Sequence, residues 1–275
     1  MPKVKHKFSG FTLVEIAIVM FIMALMLGTG LTLLSAQQDQ RKTEDNAARL
    51  DEAREALIGF AIANGRLPCP ASSASNGQES FCTGNLSAAC GAPTFIPQSH
   101  GRCTNPYNGF LPAATLDLSP TDTQGYAVDA WGTPQNRIRY AVYEGRITGG
   151  TANYSTFTAS GEMQIATLSN IANTSPLLSV CASTTVITAT TCGTATTLSN
   201  KAVALIYSLS ANATRGGTGT DETANLNNDS VFVSHPVVYA KDLPINDPNG
   251  EFDDQVIWLS QYTLFNRMVQ AGKLP

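Results

Sequence analysis

Charge is scarce in this chain. Asp, Glu, Lys and Arg make up 14% of its 275 residues, against about 25% in an ordinary soluble domain. The balance is acidic, with a formal charge of −4, which argues against a basic nucleic-acid-binding surface. Histidine is scarcer still. The chain has three, His6, His100 and His235, and none stands in a metal or catalytic motif. There is no Gly-x-Ser-x-Gly elbow and no Cys-x-x-Cys pair. The tract Arg215-Gly216-Gly217-Thr218-Gly219 is not followed by the Lys-Ser or Lys-Thr of a phosphate loop. His235, followed by Pro236, reads as a turn residue. Asp253 and Asp254 are adjacent, so on a strand they would point to opposite faces. No catalytic constellation emerges, and the expectation is that the chain is not an enzyme.

The longest uncharged stretch lies near the N-terminus. No Asp, Glu, Lys or Arg occurs between Glu15 and Asp39. The apolar run from Phe11 to about Leu34 spans roughly 36 Å as a helix, enough to cross a bilayer core. Lys3, Lys5, His6 and Lys7 precede it, which places this leader in the cytoplasm and the polar remainder outside. A Gly10-Phe11 junction stands directly before the run. Glu15 lies one helical turn inside it. A carboxylate costs on the order of 2.5–3.5 kcal/mol at mid-membrane and less near the edge, so it calls for a partner.

The order of basic leader, Gly10, Phe11, Thr12-Leu13-Val14-Glu15 and hydrophobic helix resembles the class III signal of type IV prepilins and pseudopilins. The resemblance covers about 30 residues and implies a set of roles. A prepilin peptidase cuts after Gly10 on the cytoplasmic side, the new N-terminus at Phe11 is methylated, and Glu15 pairs with the N-terminal amine of a neighbouring subunit. Two plainer explanations fit less well. A secretory peptide has a shorter apolar core followed by a small-x-small cut site, and a simple anchor needs neither the Gly-Phe junction nor Glu15. Loss of the leader with Lys3, Lys5 and Lys7 takes the formal charge from −4 to −7.

All six cysteines, Cys69, Cys82, Cys90, Cys103, Cys181 and Cys192, follow the apolar run, on the side expected to be oxidising, so disulfides are the default. Zinc is the rival, but only His100 lies near a cysteine. Cys181 and Cys192 bracket a Thr-rich stretch and suit a closed loop; the first four allow three pairings.

The helix is expected to continue to about Asn64, giving some 50 residues and roughly 75 Å. Ala47, Leu50, Ala53, Leu57, Phe60 and Ala61 form one apolar stripe on an otherwise charged surface. Gly65 and Pro68 then supply a stop. Gly28 and Gly30 fall in the membrane half, as ordinary small residues or as points of bending. Residues 66–110 read as an irregular, disulfide-stapled loop. Strands are expected at Ile138–Tyr143, Met163–Leu168, Ala202–Leu209, Val231–Val233 and Val256–Leu259. A short amphipathic helix is expected at Gln261–Ala271, ended by Gly272. Asp129-Ala130-Trp131-Gly132-Thr133-Pro134 resembles the turn before a sheet strand in the major pseudopilin of type II secretion, with a structural role and a Trp131 that buries one aromatic face.

One stretch carries ligand chemistry. Asp247, Asn249, Glu251, Asp253 and Asp254 place oxygen donors at close spacing around Pro248 and Gly250, which suits a hard cation such as calcium, although the pattern is not an EF-hand. The pseudopilin resemblance implies such a site in the C-terminal loops. Ser210-Ala211-Asn212 and the loop Asp221–Asp229 are candidate second contributors.

The expected fold is α+β, with a long N-terminal helix (transmembrane half plus amphipathic half) packed on an antiparallel β-sheet head. The divisions are a cytoplasmic leader over 1–10, an assembly helix over 11–35, an amphipathic helix over 36–64 and a disulfide-containing head over 65–275. The resemblance implies a minor pilin or pseudopilin of a type IV pilus or type II secretion-like filament. Its partners are then other subunits, the prepilin peptidase and an inner-membrane assembly platform, with no nucleic acid expected. Its place is the bacterial inner membrane with the head in the periplasm, and then the pilus or cell surface. The alternative is a surface adhesin or ligand-binding module that uses the pilin stalk as a mount.

Overall fold

A computed structural model describes residues 12–166, 169–170, 176–215, 219–238 and 250–274, with the backbone alone over 26–36. The chain divides into two units, one up to Glu44 and one from Asp45 onward. One helix, α1 (Leu13–Asn64, 52 residues), contributes to both.

In the second unit α1 buries Asn46, Leu50, Ala53, Leu57, Ile58 and Ala61. The steps of three and four residues set one stripe against the core. This shifts the expected stripe by one position at its start. Ala47 is exposed, because Asn46 lies four residues before Leu50 on the buried line and hydrogen-bonds Gln255 Oε1 at 3.1 Å. Phe60 is half-buried and instead takes the Arg66 guanidinium over its ring, 5.2 Å from the centroid. The helix stops where expected. Gly65 adopts φ 67°, and its N–H donates to the Ala61 carbonyl at 2.8 Å, a left-handed C-terminal cap that favours glycine.

Three ties follow at once. The Leu67 N–H donates to Phe157 O. Arg66 makes a two-pronged ion pair with Glu79, each contact 2.7 Å, and both side chains are about nine-tenths buried. Cys69 bridges to Cys103. Residues 66–108 are otherwise irregular, with one short antiparallel strand pair, β1 (Phe81–Cys82) and β2 (Pro93–Thr94). A second disulfide, Cys82–Cys90, closes its connection, and a third, Cys181–Cys192, closes the Thr-rich loop.

The sheet has six strands: β3 (Gly109–Phe110), β4 (Arg139–Val142), β5 (Leu178–Cys181), β6 (Thr197–Ser208), β7 (Val231–Val233) and β8 (Gln255–Ser260). Its order is β3-β4-β6-β5-β7, with β8 also paired to β6. The first half of β6 meets β5, and its second half is paired by both β4 and β8. Residues 202–208 are consequently buried throughout, as the run Ala-Val-Ala-Leu-Ile-Tyr-Ser suggests for a central strand covered on both faces. Val203 and Ile206 join the core that holds Leu50, Leu57 and Tyr140, together with Leu264, Phe265 and Met268 of the C-terminal helix. Leu205 and Tyr207 join a second cluster with Val180 and Phe232.

The architecture is α+β, and the head departs from the expectation in three places. The sheet is mixed, since β5 and β7 run parallel; β6 and the helical segments after it return the chain so that β7 lies beside β5 in the same direction. The Met163–Leu168 strand is replaced, over its described part, by a short helix. After α2 (Ala113–Leu116), α3 covers Glu162–Ile165, with Met163 and Ala166 buried and Ile165 46% exposed. Burial at a three-residue step marks a helical turn, which alternation in so short a run does not reveal. The expected loop over Asp221–Asp229 begins as helix α4 (Thr220–Leu226). The C-terminal helix α5 (Gln261–Gln270) forms as expected, capped by Ser260, which accepts from the Thr263 N–H at 3.2 Å.

Candidate functional site

Two regions carry the residues singled out by the sequence. The first is the start of α1. Gly10 and Phe11 lie outside the described residues. Glu15 is solvent-exposed, and its Oε2 accepts from the Thr12 backbone N–H at 2.8 Å and from the Thr12 hydroxyl at 2.9 Å. The Glu15 N–H donates back to Thr12 Oγ1 at 3.3 Å. Thr12 and Glu15, three residues apart, thus form a reciprocal capping box, which satisfies N–H groups that a helix start leaves without partners. Beyond it, every large apolar side chain from Leu13 to Leu25 is exposed, from 46% at Ile22 to 86% at Leu13. Among the described residues no helix is long and apolar enough to cross a membrane. The second half of the apolar run, 26–36, lies outside the described side chains.

The second region is acidic. The carboxylates of Glu222, in the first turn of α4, and of Asp253 and Asp254, just before β8, each place an oxygen within 4.8 Å of the others. All three are nine-tenths or more buried. Asparagines connect them. Asn212 donates its backbone N–H to Asp253 Oδ2 at 3.2 Å and its amide to Glu222 Oε1 at 2.7 Å. The Asp253 N–H also donates to Glu222 Oε1, at 2.9 Å. Asn225 donates to Asp254 Oδ2 at 2.9 Å and is itself fixed by Val233 N–H, which donates to Asn225 Oδ1 at 2.8 Å. Asn212 Oδ1, Asp253 Oδ1 and Asp254 Oδ1 are buried without a hydrogen-bond partner.

The electrostatics follow from the crowding. Burial, and next the Glu222 charge, lift Asp253 from the usual carboxylate range to about 7. Burial also holds Asp254 well above that range; Glu222 and Asp253 add to the effect, and Arg139 opposes it. Like charges forced together out of water resist ionisation. A hard divalent cation removes that conflict, because oxygens about 2.3–2.6 Å from one ion sit up to about 5 Å apart. The donor set, the spacing and the three orphaned oxygens fit calcium.

Of the five residues named for that site, Asp253 and Asp254 converge on the cluster. They do so despite being adjacent, because β8 begins only at Gln255 and the two lie on irregular backbone; the alternation of a strand does not apply. Glu251 is half-buried outside the three-carboxylate group, although its charge reaches Asp253. Asp247 and Asn249 lie outside the described residues. Asn212, a candidate second contributor, lies in the cluster, bonded to Asp253 and Glu222. Asp221 does not, since its Oδ1 accepts from Thr184 and its Oδ2 from His235. Glu222 and Asn225 stand inside the Asp221–Asp229 stretch without having been singled out; the acidic pair Asp221-Glu222 at a helix start was the available signal.

The Asp129–Pro134 turn is structural, with the aspartate as its pivot. Fully buried, Asp129 accepts at Oδ1 from the Trp131 N–H (2.8 Å) and Gly132 N–H (3.4 Å), and at Oδ2 from Asn136 (2.8 Å) and the Ser208 hydroxyl (2.6 Å). Trp131 is only half-buried.

Residues 5–31 match the family model of the prokaryotic N-terminal methylation motif. No curated protein and no solved structure matches the chain.

Proposed function

We propose that this chain is a structural subunit, a minor pilin or pseudopilin, of a type IV pilus or type II secretion-like filament. The carrying observation is the methylation motif over residues 5–31, which opens a helix whose first apolar turns are exposed on every side. On this reading the prepilin peptidase removes residues 1–10, Phe11 becomes the methylated N-terminus, and the apolar half of α1 holds the subunit in the inner membrane until it enters the filament. Lateral packing of these helices supplies the driving force, with Glu15 setting the register. A buried carboxylate beside a neighbour's ammonium penalises any stagger that leaves either charge alone. The head, from 65 to 275, is displayed on the periplasmic side and then on the filament.

Mass spectrometry of the N-terminus of protein isolated from cells tests this reading. The expected species begins at Phe11 and carries one added methyl group. An intact Met1, or a cut beyond Leu34, overturns it.

The acidic cluster favours a second element of the same reading, a calcium ion in the head held by Glu222, Asp253 and Asp254 with the Asn212 carbonyl oxygen. Bound there, the ion would neutralise the cluster and tie α4 to the start of β8. The three buried oxygens without partners carry this assignment.

A further inference from the structure

One oxygen of Asp129 governs how the chain leaves β6. Asp129 Oδ2 accepts from the Ser208 hydroxyl at 2.6 Å and from the Asn136 amide at 2.8 Å. Each donor goes on to Ser210. Ser208 Oγ accepts the Ser210 N–H at 3.0 Å, and Asn136 Nδ2 also donates to the Ser210 carbonyl oxygen at 2.6 Å. Both polar groups of the Ser210 backbone are thus held from one carboxylate. The Thr133 hydroxyl donates to Asn136 Oδ1 at 2.6 Å, which turns the amide nitrogen, with its two N–H groups, toward Asp129 and Ser210. Asp129 is itself tied to α1, because Arg49 donates to its carbonyl oxygen at 2.7 Å. Asp129, Asn136, Ser208 and Ser210 are all buried, where a polar group left without a partner is costly.

The backbone at Ser210 has φ 49°, in the left-handed region that residues other than glycine enter at a cost. Such a conformation persists where its surroundings over-determine it, as the two bonds to Ser210 do. Their effect is to set the direction in which the short 3-10 turn Ser210–Arg215 begins. Two residues along that turn, Asn212 gives its N–H to Asp253 and its amide to Glu222, and its Oδ1 stays buried without a partner. Asn136 therefore acts on the carboxylates through Ser210 and Asn212.

We propose that Asn136 is a positioning residue of the cation site: with Asp129 behind it, it fixes the Ser210 backbone and so holds the Asn212 side chain beside Glu222 and Asp253 before any ion arrives. The proposal rests on the calcium assignment made above. An oxygen donor already held in place does not have to be ordered at the moment of binding. In Asn136→Ala the Ser210 carbonyl oxygen and Asp129 Oδ2 each lose a donor, and the left-handed turn is pinned at its N–H alone. Asn212 then has to be ordered by the ion itself. The three carboxylates remain, so binding weakens and is not abolished. Loss of such an outer partner typically lowers metal affinity about 10–100-fold.

Calorimetric titration of calcium into the metal-free full chain in detergent micelles, at one fixed pH of about 8, tests it, beside thermal melts with and without calcium. Asn136→Ala is expected to bind about 10-fold or more weakly than the wild type, and the rise in melting temperature that calcium gives is expected to shrink. A residue that only stabilises the head lowers both melts equally and leaves the affinity unchanged. That result, with the wild type binding, overturns the positioning role and leaves the calcium assignment standing. A wild type that takes up no calcium removes the cation site, and this proposal with it. Should Asn136→Ala fail to fold, Ser208→Ala decides, since it cuts the Ser210 N–H loose from Asp129. Calcium affinity is then expected to fall several-fold, and wild-type affinity in that variant overturns the proposal.

Discussion

Asp253 carries an unusual electrostatic load for a residue outside any regular element. Its proton is favoured by the fold, because burial and Glu222 raise it from 3.8 to about 7. A carboxyl group raised in this way stabilises the folded state fully below its ordinary value, and that contribution is lost as pH rises through about 7. Asp254, raised in the same direction, adds to the trend. Without divalent cations, the melting temperature is therefore expected to fall between about pH 5 and about pH 8. Calcium added at the upper pH restores it, and chelation lowers it again. Glu144, which burial also lifts to about 7, titrates in the same window, so Asp253→Asn is needed to separate them; it is expected to flatten most of the slope in the metal-free protein. A melt indifferent to chelation at the upper pH removes the cation site. Sequence showed two of the three carboxylates, Asp253 and Asp254. Consecutive acids near a glycine announce ligand chemistry, but Glu222 comes from a helix some 30 residues away in the chain, and such meetings are decided by tertiary packing.

At the scale of elements, legibility followed length and pairing. The strands β4, β6, β7 and β8 stood out by their β-branched and aromatic residues, and the helix α5 by its three-four apolar step. The helices α2 and α3 span four residues each, too few for either period to show. The parallel β5–β7 pair was hidden for another reason, since partner choice in a sheet is set by the connections and not by the strand's own sequence. The cysteines announced disulfides without their connectivity. Of the three pairings open to the first four, the fold makes Cys69–Cys103 and Cys82–Cys90. The former closes 34 residues of largely irregular chain. Loop-closure entropy assigns such a bridge about 4 kcal/mol. The paired substitution Cys69→Ser with Cys103→Ser is expected to lower unfolding free energy by roughly that amount, measured by urea denaturation. A loss below about 1 kcal/mol shows that Arg66–Glu79 and the backbone ties hold this region unaided.

For the whole molecule, the decisive variable is whether Glu15 acts as a charge or as a cap. The capping box with Thr12 accounts for the carboxylate locally, and glutamine fills the same role in such a box. Assembly through a neighbour's amine needs the charge. Glu15→Leu and Glu15→Gln are both expected to insert normally in the membrane and to be missing from sheared filaments, measured by immunoblot of the filament and membrane fractions. Entry of the Gln variant at the normal level assigns Glu15 to helix capping alone. The motif at residues 5–31 was legible in full because it is read locally, from order along the chain.

The junction after α1 has a mechanical consequence. Within some five residues the chain passes from the helix cap at Gly65 into an ion pair, a backbone hydrogen bond and a covalent bridge, each anchored to a different part of the head. The chain leaves the head at this point only if all three attachments give way, and the last of them is covalent.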